Sequence, residues 1–407
     1  MAGPRKRPRP APRIGLALAG GGPIGAIYEI GALCALEDAV EGLRFTGIGD
    51  YVGVSAGAFI ASALANGLTP RAMCAAFIEN VGGTESVIDP RLFTQPAWSE
   101  FARRLAMAPA VTAGTAWQWL LGQGSLAAWM GDVGRLLPNG FFDNAPLERH
   151  LAELFSAPGR SNDFRRLDRR LVVVATDLDT GEAAPFGLPG HDTVPISRAV
   201  IASAALPGLY PPVAIDGRHY VDGALKKTVH ASVLLDQGLD LLICLNPLVP
   251  FDATRHGRGA HLPEGGAIPR LDVAGLPALL SQTFRSLIHS RLELGLKGYE
   301  RSHPDCDILL FEPDHWDAEM FHAGTFSYTL RRRLANHAYQ QTWRMLRERA
   351  ATVGPTLARH GLRLRDEALH EHHQLIAGPA PAPGRTLVER THRTLDRLEH
   401  WLRQQGA

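Results

Sequence analysis

Tyr51-Val52-Gly53-Val54-Ser55-Ala56-Gly57-Ala58 reads as a short buried strand, a sharp turn and the start of a helix of small residues that runs on through Phe59-Ile60-Ala61-Ser62-Ala63-Leu64. Gly53-x-Ser55-x-Gly57 has the form of a nucleophile elbow. A serine at the tip of such a turn holds a strained backbone and points its hydroxyl away from the sheet, and glycines on either side remove side chains that would collide there. The following helix aims its N-terminal amides near the same point, which favours developing negative charge. A pentapeptide of Gly and Ser also arises by chance in loops. Its placement between an apolar strand and a small-residue helix favours the nucleophile.

Outward from the elbow, Ile14 to Ala19 reads as the first strand, Gly20-Gly21-Gly22-Pro23-Ile24-Gly25 as a tight glycine loop, and Ala26 to Ala39 as an apolar helix. Three consecutive glycines leave backbone amides uncovered, and a loop at the carboxyl edge beside the elbow would supply oxyanion donors. Gly20-x-Gly22-x-x-Gly25 also matches a dinucleotide fingerprint. That reading wants an acidic residue at the end of the second strand, where this chain has Gly53-Val54-Ser55.

Further along, Thr69-Pro70 opens a helix to Glu79, Asn144 caps one to Phe155, Pro195 to Ala205 is a third and Phe284 to Tyr299 a fourth. Leu171 to Ala175, Arg218 to Val221, Leu239 to Leu245 and Ile308 to Phe311 read as strands. Strands alternating with helices predict a three-layer α/β fold, a mainly parallel sheet with helices on both faces. Residues 90–142 differ in character, with Trp98, Trp117, Trp119, Trp129, Phe141 and Phe142 among small residues. They fit either an apolar lid or acyl-chain wall, or a helical subdomain. The expected layout is a basic, Pro-rich disordered tail over 1–13, a catalytic domain over 14–350 and a helical C-terminal extension over 351–407, with a Pro/Gly linker at 377–385. Leu387, Thr391, Leu395, Leu398 and Leu402 share one helical face, which suits docking on the main domain or contact with a partner or membrane surface.

Bulk properties narrow the function. The 407 residues carry a net charge of +1, which offers no footprint for nucleic acid. Cys34, Cys74, Cys244 and Cys306 are scattered without CxxC spacing and read as buried thiols of a reducing compartment. No stretch is long and apolar enough to span a bilayer, so a cytoplasmic location, with peripheral membrane contact at most, is expected. His370, His372 and His373 lie in a charged stretch and are a weak metal candidate. Nothing here sets the oligomeric state.

A serine nucleophile needs a base. Many histidines follow Ser55, but none stands in a persuasive loop after a late strand. Asp222 ends a strand, and Gly223 lets the chain turn there. Asp-Gly is also a common turn pair, and spacing alone leaves the two readings level. The chain resembles the patatin-like phospholipase family in five blocks between about residues 14 and 225: Leu18-Ala19-Gly20-Gly21-Gly22 with Gly25; Gly53-Val54-Ser55-Ala56-Gly57-Ala58; Ala175-Thr176-Asp177-Leu178 with Thr180-Gly181-Glu182; Ala202 to Pro212; and Asp222-Gly223-Ala224. The resemblance implies a Ser55–Asp222 dyad without histidine, an oxyanion hole from the amides of Gly20, Gly21 and Gly22, lipid acyl esters as substrates, and neither metal nor organic cofactor. Ile24 and Ile201 stand where the family often has arginine, which weakens the expectation of a phosphate-bearing headgroup and keeps neutral esters and acyl transfer open. An ordinary Ser-His-Asp esterase and a non-catalytic lipid-binding protein on the same fold are the competing readings.

Overall fold

The computed structural model describes residues 12–81, 90–121, 125–255, 275–322, 328–371 and 373–376. The tail up to residue 11, the linker and the amphipathic stretch beyond it lie outside the described residues. Arg13, read above as the end of the tail, is tied down: its backbone amide donates to Asp240 Oδ2 at 2.7 Å and its guanidinium reaches Asp50 at 3.2 Å.

Eight strands form one sheet: β1 (Ile14–Leu18), β2 (Asp50–Val54), β3 (Arg170–Asp177), β4 (Ala183–Phe186), β5 (Val213–Ile215), β6 (Arg218–Val221), β7 (Leu241–Leu245) and β8 (Asp307–Phe311). The order is β5-β6-β3-β2-β1-β7-β8, with β4 also paired to β3. The five strands from β3 through β8 along this order run parallel, and β4, β5 and β6 join antiparallel. The parallel strands are the apolar runs of the sequence, as burial on both faces requires; β1, β2 and β7 are buried from end to end apart from the first residue of β1. The mainly parallel α/β sheet anticipated from alternating strands and helices is therefore present.

Helix α1 (Gly22–Ala39) follows β1, and α2 (Ala56–Ala65) follows β2. Helix α1 starts four residues earlier than its periodicity suggests, because Pro23 is pre-set for a first helical turn and needs no amide partner there. The glycine loop thus shrinks to Gly20 and Gly21, with Gly22 as the first helical residue. After Thr69 the chain makes one α turn (Pro70–Met73) and widens into a π turn (Cys74–Glu79), with the Thr69 hydroxyl accepting from Ala72 N at 3.1 Å. Residues 90–142 hold two helices, α3 (Trp98–Leu120) and α4 (Leu126–Leu136), packed on each other. Helix α5 (Ala145–Ser156) begins after Asn144, but the Asn144 side chain caps nothing; Asp143 Oδ1 accepts from Ala145 N at 2.9 Å instead. Helices α6 (Ile196–Ser203), α7 (Leu276–Ser302), α8 (Tyr328–Glu348) and α9 (Ala350–Arg359) complete the layers. Helix α8 lies against α1 so closely that a Cβ on Gly31 would meet the Ala335 carbonyl at 2.5 Å. All four cysteines are free thiols, three of them buried. Among the described residues no helix is long and apolar enough to cross a membrane.

Two glycines set the approach of α2 to the sheet. A Cβ on Gly57 would sit 2.5 Å from the Leu18 carbonyl oxygen and 2.6 Å from that of Ala19, and one on Gly53 would sit 2.4 Å from the Gly57 carbonyl. All these contacts are with backbone, which cannot swing aside as a side chain would. Gly57→Ala is expected to destabilise the fold by more than about 3 kcal/mol, measured as a lowered urea midpoint at constant m-value. A midpoint equal to that of the wild type would mean that α2 can shift without cost.

Candidate active site

Parallel pairing of β1 with β2, Leu18 opposite Gly53, brings the glycine turn and the elbow to one carboxyl edge. Strand β7 lies on the other side of β1, so the chain departs from β1 in both directions here, the position at which open α/β sheets bind ligands.

Ser55 has φ 53° and ψ −120°, a left-sided backbone that a residue with a Cβ rarely adopts. Three bonds hold it there. Its amide donates to Ser203 Oγ at 2.8 Å, the Ser203 hydroxyl donates in turn to the Val174 carbonyl at 2.6 Å, and Gly57 N donates to the Ala19 carbonyl at 3.2 Å. Ser203, at the end of α6, therefore pins the elbow to β3. It falls in one of the quoted sequence blocks, but nothing in its spacing announces this role.

Asp222 follows β6, which pairs antiparallel with β3 through Thr176 and Val221. Its amide donates to the Ala205 carbonyl at 3.0 Å, and the Thr176 hydroxyl donates to its carbonyl at 3.0 Å. A Cβ on Gly223 would lie 2.1 Å from the Val174 carbonyl, so only glycine lets the chain turn this close to β3. The carboxylate accepts from Ala224 N at 2.9 Å, and the Ser55 hydroxyl is its other polar neighbour. Both residues are buried, at 6% and 4% exposure. Burial pushes the Asp222 pKa up to about 6, against the Ala224 amide and the Ser55 hydroxyl, which favour the carboxylate.

Gly20 stands against this pair: a Cβ on it would lie 3.1 Å from Ser55 Cβ and 3.3 Å from Ala224 Cβ. Among the described residues no backbone carbonyl accepts from the amides of Gly20, Gly21 or Gly22. The glycine turn, the hydroxyl and the carboxylate thus open on one cavity of about 340 Å³. Its wall is mostly apolar, with Ile27, Phe59, Phe77 and Leu147 among its members, and it includes Ile24 and Ile201. Phe59 and Phe77 meet with ring centroids 5.0 Å apart. Two cations, Arg285 of α7 and Arg331 of α8, also line it. Burial holds the Arg285 pKa down to about 10, which leaves it charged at neutral pH. Both arginines come from helices remote in sequence, and no local pattern marks them.

Among the described residues no histidine lines the cavity. His230 lies eight residues after Asp222. Its Nε2 lies 3.4 Å from the Gly223 carbonyl, and burial drives its pKa down to about 4. His373, from the C-terminal histidine group, stacks on Trp343 with centroids 4.0 Å apart. The aromatic residues of 90–142 divide. Phe93 and Phe142 belong to the cavity wall, whereas Trp98, Trp117, Trp119 and Trp129 are 74%, 61%, 58% and 47% exposed. The tryptophans are therefore neither acyl-chain wall nor subdomain core.

The model of the family described as patatin-like phospholipase matches residues 16–235, just over half of the chain. Among solved structures, VipD from Legionella pneumophila aligns at 17% identity and a TM-score of 0.37, over 83% of this chain and 67% of that one. The type III effector protein ExoU aligns at 16% identity and a TM-score of 0.34, over 84% of this chain and 53% of that one, so the chain spans about half of ExoU. At these scores the assignment rests on the family match.

Proposed function

The chain belongs to the patatin-like phospholipase family, a family of lipid acyl hydrolases, and from that premise we propose that it cleaves lipid acyl esters through an acyl-enzyme on Ser55, with Asp222 as the base. The observation that carries this is the Ser55 hydroxyl set beside a buried carboxylate whose pKa is about 6, both on the wall of one apolar cavity. Ser55 Oγ attacks the ester carbonyl carbon as its proton passes to Asp222. The amides of Gly20, Gly21 and Gly22 hold the oxyanion. Collapse breaks the ester C–O bond, and the departing alcohol takes the proton from Asp222. A water, deprotonated by the same carboxylate, then releases the acid and regenerates the hydroxyl. A carboxylate with its pKa near 6 is ionised at neutral pH and still basic enough to accept a proton in the transition state.

The isoleucines at 24 and 201 leave out cationic charge, and Arg285 and Arg331 restore it to the same wall from α7 and α8. This supports a phosphate-bearing ester over a neutral one. The substrate sits in a membrane or micelle, and the exposed tryptophans suit contact with its surface. The hairpin that carries them joins the cavity wall through Ala97 N, which donates to the Phe141 carbonyl at 3.0 Å beside Phe142. Replacing Trp117 and Trp119 together by Ser is expected to weaken sedimentation with anionic vesicles by about 10-fold or more without moving the melting temperature, since both side chains are exposed. Unchanged sedimentation would take the hairpin out of membrane contact.

The activity itself is tested by incubating the full chain with a fluorophosphonate and locating the adduct by mass spectrometry, then assaying a panel of phospholipids and triacylglycerols. A single adduct on Ser55 and faster release of fatty acid from phospholipid are expected. A folded protein that takes no label would favour a lipid-binding role on the same fold.

A further inference from the structure

Away from the cavity, three metal-ligating side chains converge. His289 projects from α7, while Glu312 and His315 follow β8. One donor atom from each lies within 4.8 Å of the other two. His289 is 9% exposed, and its Nδ1 has no hydrogen-bond partner although it faces Glu312 Oε2 at 3.8 Å. An imidazole nitrogen left bare in the interior, next to a carboxylate, is a costly arrangement unless something bridges the two.

We propose that His289, Glu312 and His315 form a binding site for one divalent ion of the zinc type. The tautomers suit this. His315 Nδ1 lies 3.2 Å from the Pro250 carbonyl, which can only accept, so Nδ1 carries the proton and Nε2 offers its lone pair. His289 Nε2 faces Glu293 Oε1 at 3.5 Å, so a proton on Nε2 would meet a carboxylate and leave Nδ1 to bind the ion. The two rings meet edge to face, with centroids 4.9 Å apart at 80°, so both can address one point. Asn246 Nδ2 donates to Glu312 Oε2 at 3.2 Å and orients the carboxylate. Bonds of about 2.0–2.2 Å to a tetrahedral ion separate ligand atoms by about 3.4 Å, so the 3.8 Å between His289 and Glu312 needs only a small contraction. Two imidazoles and one carboxylate leave a fourth position for water and select zinc over magnesium or calcium, which prefer oxygen.

The ion would fasten α7 to the ends of β7 and β8. Asn246 precedes Pro247, and a Cβ on Gly21 or Gly25 would meet Pro247 Cγ at 2.7 or 3.0 Å. The site thus braces the strand end against which the glycine turn rests, without contributing to the chemistry at Ser55.

The test strips the full chain with EDTA, dialyses it, and titrates Zn2+ or Co2+ alone. One ion per chain is expected, with the intense visible absorption of four-coordinate Co2+ and a melting temperature raised by about 4 °C at a 100-fold excess over Kd. His315→Ala and Glu312→Gln should each weaken zinc at least about 100-fold, beyond the 10–100-fold of outer-shell losses, while His219→Ala on the surface leaves it unchanged. Three results overturn the proposal: no stoichiometric uptake, the weak spectrum of six-coordinate cobalt, or an affinity untouched in both ligand variants. The first and second are read on the wild type, so they hold even where a variant fails to fold.

Discussion

Ser55→Ala should abolish fluorophosphonate labelling and lower lipid ester turnover by at least about 10⁴-fold, the loss seen when an activated serine is removed and only binding and oxyanion donors remain. The fold should survive. The bond from the residue 55 amide to Ser203 Oγ needs no side chain at that position, and alanine keeps the same backbone strain. Ser55→Gly separates strain from chemistry. Glycine adopts φ 53° without a clash, so this variant should lose activity equally yet unfold at higher urea, by about 1–2 kcal/mol. A stable, inactive Ser55→Gly would show that the elbow stores strain to present the hydroxyl. A Ser55→Ala protein that hydrolyses lipid at the wild-type rate would remove residue 55 from the reaction and the proposed function with it.

Local signals made the elbow legible. An apolar run, two glycines flanking a serine and a helix of small residues specify strand, turn and helix within sixteen residues, and the structure has that order from Asp50 to Ala65. The alternation of strands and helices likewise carried the parallel sheet. Features set by distant contacts were not legible. Asn144 looks like the cap of α5, yet the neighbouring Asp143 takes the bond, a choice of one residue that side-chain geometry decides. Tryptophans can be core, lid or surface, and composition does not distinguish these; Trp98, Trp117, Trp119 and Trp129 face outward, while Trp343 is core. Arg285 and Arg331 reach the cavity from helices beyond the family match, and His289 meets His315 only because α7 folds back along β7 and β8. Ser203 and Thr176 stood in plain view in the quoted blocks, but their hydroxyls acquire a role only when β3 passes beneath the elbow and the acid.

Asp222→Asn should lower turnover by at least about 10³-fold and raise stability at neutral pH, and the two effects have one origin. The folded protein holds the carboxyl pKa at about 6 against an ordinary 3.8, chiefly because burial disfavours the charge. A folded-state pKa above the unfolded one means that the ionised group opposes folding. The penalty is absent below pH 3.8, grows as pH rises and is complete above about 6. A shift of this size corresponds to roughly 3 kcal/mol. Asparagine removes the charge yet can keep the bond from Ala224 N on Oδ1 and turn Nδ2 toward the Ser55 hydroxyl. The variant should therefore be more stable than the wild type at pH 7, by an amount that shrinks as pH falls through 6 and vanishes near 4. Activity has the opposite dependence. The wild-type kcat/KM should rise with pH through a midpoint near 6 as the base ionises, and the asparagine variant should show no such limb in its residual rate. Full activity in Asp222→Asn would exclude this carboxylate as the base, whatever its distance from Ser55. Reduced activity with unchanged stability at pH 7 would leave the base in place but show that water relieves the burial of its charge.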